Sequence, residues 1–179
     1  MKSLHLLLLL VLVSLSTAVL AQSDAQKSFD KMKALSGTWE GRVTTVPPTE
    51  LQGKLMQVTL RTTSMGNALL HEMSGAGRPD DPITMFYLDE GRLLLTHYCD
   101  AGNRPRMEGK VSQDGKTLEF EFIDVAGNNL HQHMHHAKFT FIDANYHTEE
   151  WTFMFGDQTI HARFDLQRKA DASAAECAR

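Results

Sequence analysis

The chain has 179 residues and a formal charge of −4, a length that fits one domain with a genuine core. No basic cluster suggests nucleic acid, so that partner class is excluded. Beyond the first residues, no apolar run is long enough to cross a membrane, which excludes stable insertion of the mature chain by a helix.

The first element is a leader. Lys2 gives a positive start, residues 4–15 are almost wholly apolar, and Val19-Leu20-Ala21 before Gln22 suits cleavage after Ala21. That is the pattern of a secretory signal peptide, and it predicts export to a periplasmic or extracellular compartment. Cleavage would also remove Lys2, leaving 17 basic against 22 acidic residues, a formal charge of −5. Export permits a Cys99–Cys177 bridge that would pin the small-residue tail, although nothing in the sequence fixes its geometry.

Residues 28–35 carry Phe29, Met32 and Leu35 at helical spacing and predict a short helix. From Thr38 onward the pattern is strand after strand: 39–46, 55–63, 68–73, 83–88, 92–98, 106–112, 117–125, 131–142, 147–155 and 159–168. Turn residues separate them, among them Pro47-Pro48, Asp89-Glu90-Gly91, Asp114-Gly115 and Gly156-Asp157. Ten short strands joined mostly by tight turns predict an all-β fold, a ten-stranded antiparallel up-and-down barrel with a short N-terminal helix, in which closure removes exposed edges. A two-sheet sandwich is the alternative. The predicted layout is a signal peptide over 1–21, a segment with the helix over 22–37, the barrel over 38–169 and a tail over 170–179.

The opening Leu35-Ser36-Gly37-Thr38-Trp39-Glu40-Gly41 resembles the Gly-x-Trp opening of the calycin superfamily, which includes lipocalins, fatty-acid-binding proteins and nitrobindins. The segment from Leu93 to Cys99, with Gly102-Asn103-Arg104-Pro105-Arg106-Met107 after it, is similar to uncharacterised exported bacterial proteins of the DUF1579 type. That second resemblance covers most of the mature chain and brings no activity with it. The lipocalin resemblance implies that Trp39 plugs the closed end under an arginine from the last strand. Arg168 shares the parity of Ala162, Phe164 and Leu166, and the tenth strand ends where the first began, so Arg168 is the candidate.

The segment His131-Gln132-His133-Met134-His135-His136 leads into a strand on which Phe139 and Phe141 alternate. Strict alternation then turns His131, His133 and His135 toward the core. Pairing across the expected turns sets His97, Met107, Phe122 and His133 in one row over four strands, with His131 and Asp124 one step nearer the loops. The predicted ligand pocket therefore has His97, Asp124, His131 and His133 at its rim and His135 one step deeper, with Met107 and Phe122 of the same row among its ligand-binding residues. Met56, Val58, Leu60, Met85, Phe120 and Phe155 would complete the apolar lining. A single bulge would flip a strand's faces.

Three readings of these histidines stay open. They hold a metal, with His97, His131 and His133 as candidate ligands; they line a pocket for a small, partly apolar molecule; or they are buried imidazoles with structural partners. The nitrobindin resemblance adds haem, with His161 as its candidate, but His161 shares its face with Arg163, Asp165 and Gln167, which reads as solvent. His147 and Glu149 share the parity of Trp151 toward the closed end, where a structural role fits best, and His71 also faces inward. No nucleophile elbow, phosphate loop or nucleotide fingerprint occurs, so the reading is a binding protein rather than an enzyme.

Overall fold

In the computed structural model the described residues are 23–75 and 82–170. The predicted leader, the tail with Cys177, and residues 76–81 of the loop at Arg78 lie outside them. The helix α1 (Asp24–Lys33) is followed by ten strands: β1 (Gly37–Val46), β2 (Leu55–Thr63), β3 (Ala68–Gly75), β4 (Ile83–Asp89), β5 (Arg92–Tyr98), β6 (Asn103–Val111), β7 (Thr117–Gly127), β8 (Gln132–Phe141), β9 (Tyr146–Phe155) and β10 (Gln158–Arg168). Each strand pairs antiparallel with the next, and β1 pairs with β10, so the sheet closes into an up-and-down barrel. This is the all-β fold that the alternation predicts.

The helix begins four residues before the apolar period does. Ser23 caps it by accepting from the Gln26 backbone N–H at 3.2 Å, Asp24 sits in the first turn, and Lys31 and Lys33 sit in the last. Its buried residues Phe29 and Met32, with Leu35 just beyond it, pack into the core at one end of the barrel. That end is also where Trp39, Phe86, Phe120 and Phe139 are buried. Short hairpins belong to the same end. The Asp89–Arg92 pair is closed by Glu90 and Gly91 at φ 48° and 76°, the type I′ geometry that a tight, twisted hairpin prefers. The opposite end carries the connections after β1, β3, β5, β7 and β9 and forms the mouth.

β6 begins at Asn103, earlier than the sequence predicts, and includes Pro105. Proline is tolerated there because the ladder with β5 ends at Thr96–Arg106, so Pro105 owes no N–H to that neighbour.

Two register shifts change the faces of β7 and β8. Arg106 pairs with Asp124 and Met107 with Phe122, which makes Ile123 an extra residue on β7. Met134 pairs with Phe153 and His136 with Thr152, which makes His135 an extra residue on β8. A bulge of this kind reverses the alternation beyond it. Ala137 and Phe139 are buried in the core, yet past His135 it is Met134, not His133, that faces inward with Phe153.

Candidate functional site

The strands of uninterrupted alternation build a polar floor under a cavity. Glu149 lies on β9 between His147 and Trp151, all of one parity, and is fully buried. Its Oε2 is 2.9 Å from His71 Nε2 and accepts from Trp151 Nε1–H at 3.0 Å, while its Oε1 is 3.1 Å from His147 Nε2. Burial opposes ionisation of this carboxyl. The charge of His71 and the hydrogen bonds from His147 and His71 outweigh burial and hold it well below the usual carboxylate range. An ionised carboxylate only accepts, so both imidazoles donate through Nε2.

His147 packs edge-on against the Trp39 ring, with centroids 4.2 Å apart at 87°. The Arg168 guanidinium covers Trp39 at 4.0 Å and donates to the carbonyls of Ser36 and Ala144 at 2.7 and 2.9 Å. The closed end is therefore a stack of Arg168, Trp39, His147 and Glu149 that ties the start of β1 to the end of β10.

On the other side of Glu149, His71 belongs to a row that crosses β3, β4 and β5. Its Cα partner is Thr84, and the partner of Thr84 is His97. All three side chains are buried, and Thr84 Oγ1 is 2.8 Å from His97 Nδ1. Burial first, and then the nearby His71, push the His97 imidazole down to about 3, so it is neutral at any ordinary pH. The Trp151 ring lies 5.7 Å from both imidazoles.

Above this row the barrel holds a cavity of about 420 Å³. His71, Thr84, His97 and Trp151 form its deep part; Met73, Met134, Phe153 and Phe164 form apolar walls; Glu50 and Asp100 stand at its mouth. A volume of this size with a mostly apolar wall and few polar groups is the usual form of a small-molecule site.

Of the residues predicted for the site, the structure places His97 on the cavity and Met107 in the buried core beside Leu95. The others lie elsewhere, and the two bulges are the reason. Asp124 is turned to the outer face, where Arg106 Nε donates to it at 2.8 Å and holds its carboxyl low. His131 is exposed. Phe122 stacks with His135 at 4.6 Å and tilts against His133 at 4.8 Å, a half-buried cluster of which no member lines the cavity. The apolar lining also differs. Met56, Val58, Leu60 and Phe120 are core, Phe155 is half exposed, and Met85 faces away from its inward neighbours Thr84 and Phe86.

The metal set of His97, His131 and His133 consequently does not assemble, and His161 is exposed beside Thr152. These positions fit neither haem nor a divalent ion held by those residues. Among the described residues the one convergence of metal-type ligands is Glu119, Glu121 and His136 on the outer surface, where Lys138 already faces Glu119 at 3.6 Å.

The sequence did carry a signal for the residues it undervalued. Leu69-His71-Met73 and His147-Glu149-Trp151 are each polar residues set into an apolar face, and an inward carboxylate requires inward donors.

No family model matches the chain, and no curated protein matches it in sequence. Solved structures do match. One is a protein of unknown function from the DUF3598 family of Nostoc punctiforme PCC 73102, at 12% identity and a TM-score of 0.43, covering 77% of this chain and 48% of that one. This chain thus spans about half the length of that protein. Another is a redesigned β-barrel, at 14% identity and a TM-score of 0.38, covering 83% of this chain and 100% of that one.

Proposed function

We propose that this chain is an exported, calycin-like barrel that binds a small, largely apolar molecule in the barrel cavity. The observation that carries the reading is the cavity itself: about 420 Å³, walled by Met73, Met134, Phe153 and Phe164, with buried imidazoles at its floor. The cavity opens at the mouth, so without a ligand its apolar walls stand against water. An apolar molecule that displaces that water removes this surface from solvent and is the simplest occupant. The leader supports export, and the Gly37-Thr38-Trp39 opening under Arg168 supports the calycin comparison.

The neutral fluorophore N-phenylnaphthylamine tests this. The expected result is a saturable, one-to-one rise in emission with energy transfer from Trp151, lost in Ala162→Phe, which fills the cavity opposite Trp151. Unchanged circular dichroism shows that the variant folds. Non-saturable emission, or equal binding to a folded Ala162→Phe, would overturn the reading.

A further inference from the structure

A second site lies outside the cavity, in the half-buried ring cluster at the bulge of β8. The β7–β8 ladder ends at the pair Glu121–His136. Past it, Phe122 of β7 faces His133 and His135 of β8. The Phe122 ring stacks on His135 at 4.6 Å and 23°, and lies 4.8 Å from His133 at 32°. His135 is the extra residue of the bulge, and a bulge re-aims the side chain it carries. Here His135 Nδ1 comes to 3.1 Å from His133 Nε2. The other nitrogen of His133, Nδ1, donates to the Leu130 carbonyl at 2.8 Å.

We propose that His133 Nε2 and His135 Nδ1 are the two protein ligands of a divalent transition-metal site, copper(II) before nickel(II) and zinc(II), with water completing the coordination. The separation of the two nitrogens is the bite that such an ion needs. With metal–nitrogen bonds of about 2.0–2.1 Å, a span of 3.1 Å subtends about 100° at the ion, between the octahedral and tetrahedral angles. The ion takes the place of the hydrogen shared between the rings, and His135 then carries its hydrogen on Nε2. The Leu130 carbonyl orients the first ligand as outer-shell acceptors do in metal sites: it only accepts, so Nδ1 of His133 bears the hydrogen and Nε2 is the atom that meets the metal. Phe122 packs on both imidazoles and holds them in place before the ion arrives. Neither ring needs the other for its hydrogen bonds, because both are only half-buried and within reach of water. What their contact adds over water is a fixed pair of ligand atoms. Two imidazoles suit copper, nickel and zinc, and copper binds most tightly in that series, whereas magnesium and calcium require oxygen ligands. The outer group of Glu119, Glu121 and His136 is a separate place, where Lys138 competes for Glu119. His133 and His135 do not line the cavity, so this inference is independent of the ligand reading above.

The test titrates copper(II) chloride into the mature protein carrying no histidine tag, by calorimetry and by electron paramagnetic resonance. The expected result is one-to-one binding, a spectrum with two imidazole nitrogens on the copper, and no competition from magnesium. His133→Ala and His135→Gln are each expected to weaken binding about tenfold or more, while His131→Ala, His136→Ala and Glu121→Gln stay within about twofold of wild type. Circular dichroism checks that each variant folds. Should either ligand variant fail to fold, the wild-type spectrum and the other three variants decide. Absence of one-to-one binding, a spectrum with oxygen ligands alone, or equal affinity in the folded His133→Ala and His135→Gln would overturn the site. Loss of binding in His136→Ala or Glu121→Gln would overturn it too, by placing the ion on the outer group.

Discussion

His71, His97 and His147 sit on strands that alternate without interruption, whereas His135 is itself the extra residue of a bulge and His133 lies just beyond it. The first group is buried, at 2%, 6% and 0% exposure, and every member reaches another polar side chain of the interior. The second group is half-buried and satisfies itself locally, through the Leu130 carbonyl and the neighbouring ring. The two groups look alike as sequence, since each histidine shares its parity with apolar residues of its own strand. Parity turns an imidazole inward only while the ladder keeps its register, and one additional residue cancels the whole column.

The sharpest way to break the inner group is to remove its common acceptor. Glu149→Ala leaves His71, His147 and the Trp151 N–H buried without their partner, and the expected loss is about 3–5 kcal/mol of stability. Urea denaturation of wild type and variant measures it. Glu149→Gln keeps one acceptor oxygen and is expected to lose less. A loss below about 1 kcal/mol in Glu149→Ala would show that the three donors are not held by this carboxylate.

The neutrality of His97 gives the inner group a pH signature. An unfolded His97 takes up a proton near its ordinary 6.5, and the folded one not until about 3. Between those values the unfolded chain binds the additional proton, so stability is complete above about 6.5 and falls as pH drops through the window, by more than about 1 kcal/mol per pH unit. Glu149 adds a second loss of the same sign below its ordinary 4.5. Wild type minus His97→Asn isolates the first contribution. A stability difference that stays flat from pH 7 down to about 4 would contradict a buried, neutral His97.

Arg168 tests the closed end at a smaller scale. Arg168→Gln removes the guanidinium from the Trp39 face and frees the carbonyls of Ser36 and Ala144. The expected cost is about 1–3 kcal/mol, with a red-shifted Trp39 emission as water reaches the ring. An unshifted spectrum with unchanged melting would mean that α1 and the core close the barrel without it.

The barrel was legible in the sequence because its turns are chemically marked and its strands alternate. β2 and β5 begin and end where the alternation places them. The pairing of Arg168 with Trp39 follows from the lipocalin resemblance together with the parity of Arg168 and the strand count. The rim was not legible. Neither Ile123 nor His135 is a glycine or any other residue that announces a bulge, and the hydrophobic pattern around each reads equally well in either register. Pairing across the loop between β7 and β8 could not be counted either. The sequence pairs Phe122 with His133, while the observed ladder, with Glu121 opposite His136, carries Phe122 one step further to His135. The inner network was half legible. Inward parity for His71, His147 and Glu149 was visible, but not that Glu149 links the closed end to the cavity floor, because strands three to nine meet only in the closed barrel.

The smallest expected effect falls on the outer group, and it decides whether the bulge argument holds. In the observed arrangement His133 Nδ1–H donates to the Leu130 carbonyl at 2.8 Å, and its Nε2 lies in hydrogen-bond contact with His135 Nδ1 at 3.1 Å. Burial, and then the neighbouring His133, lower the His135 imidazole. Replacing His133 by Ala removes two local, partly solvated hydrogen bonds and one face of the Phe122 stack, at an expected cost of about 1 kcal/mol. The affinity for N-phenylnaphthylamine should not change, because Met134 and not His133 forms that part of the cavity wall. The matched change Met134→Ala, one residue along the same strand, should enlarge the cavity and alter the affinity. If the two variants exchange these outcomes, the alternation of β8 runs unbroken to the mouth, and the histidine column belongs to the pocket after all.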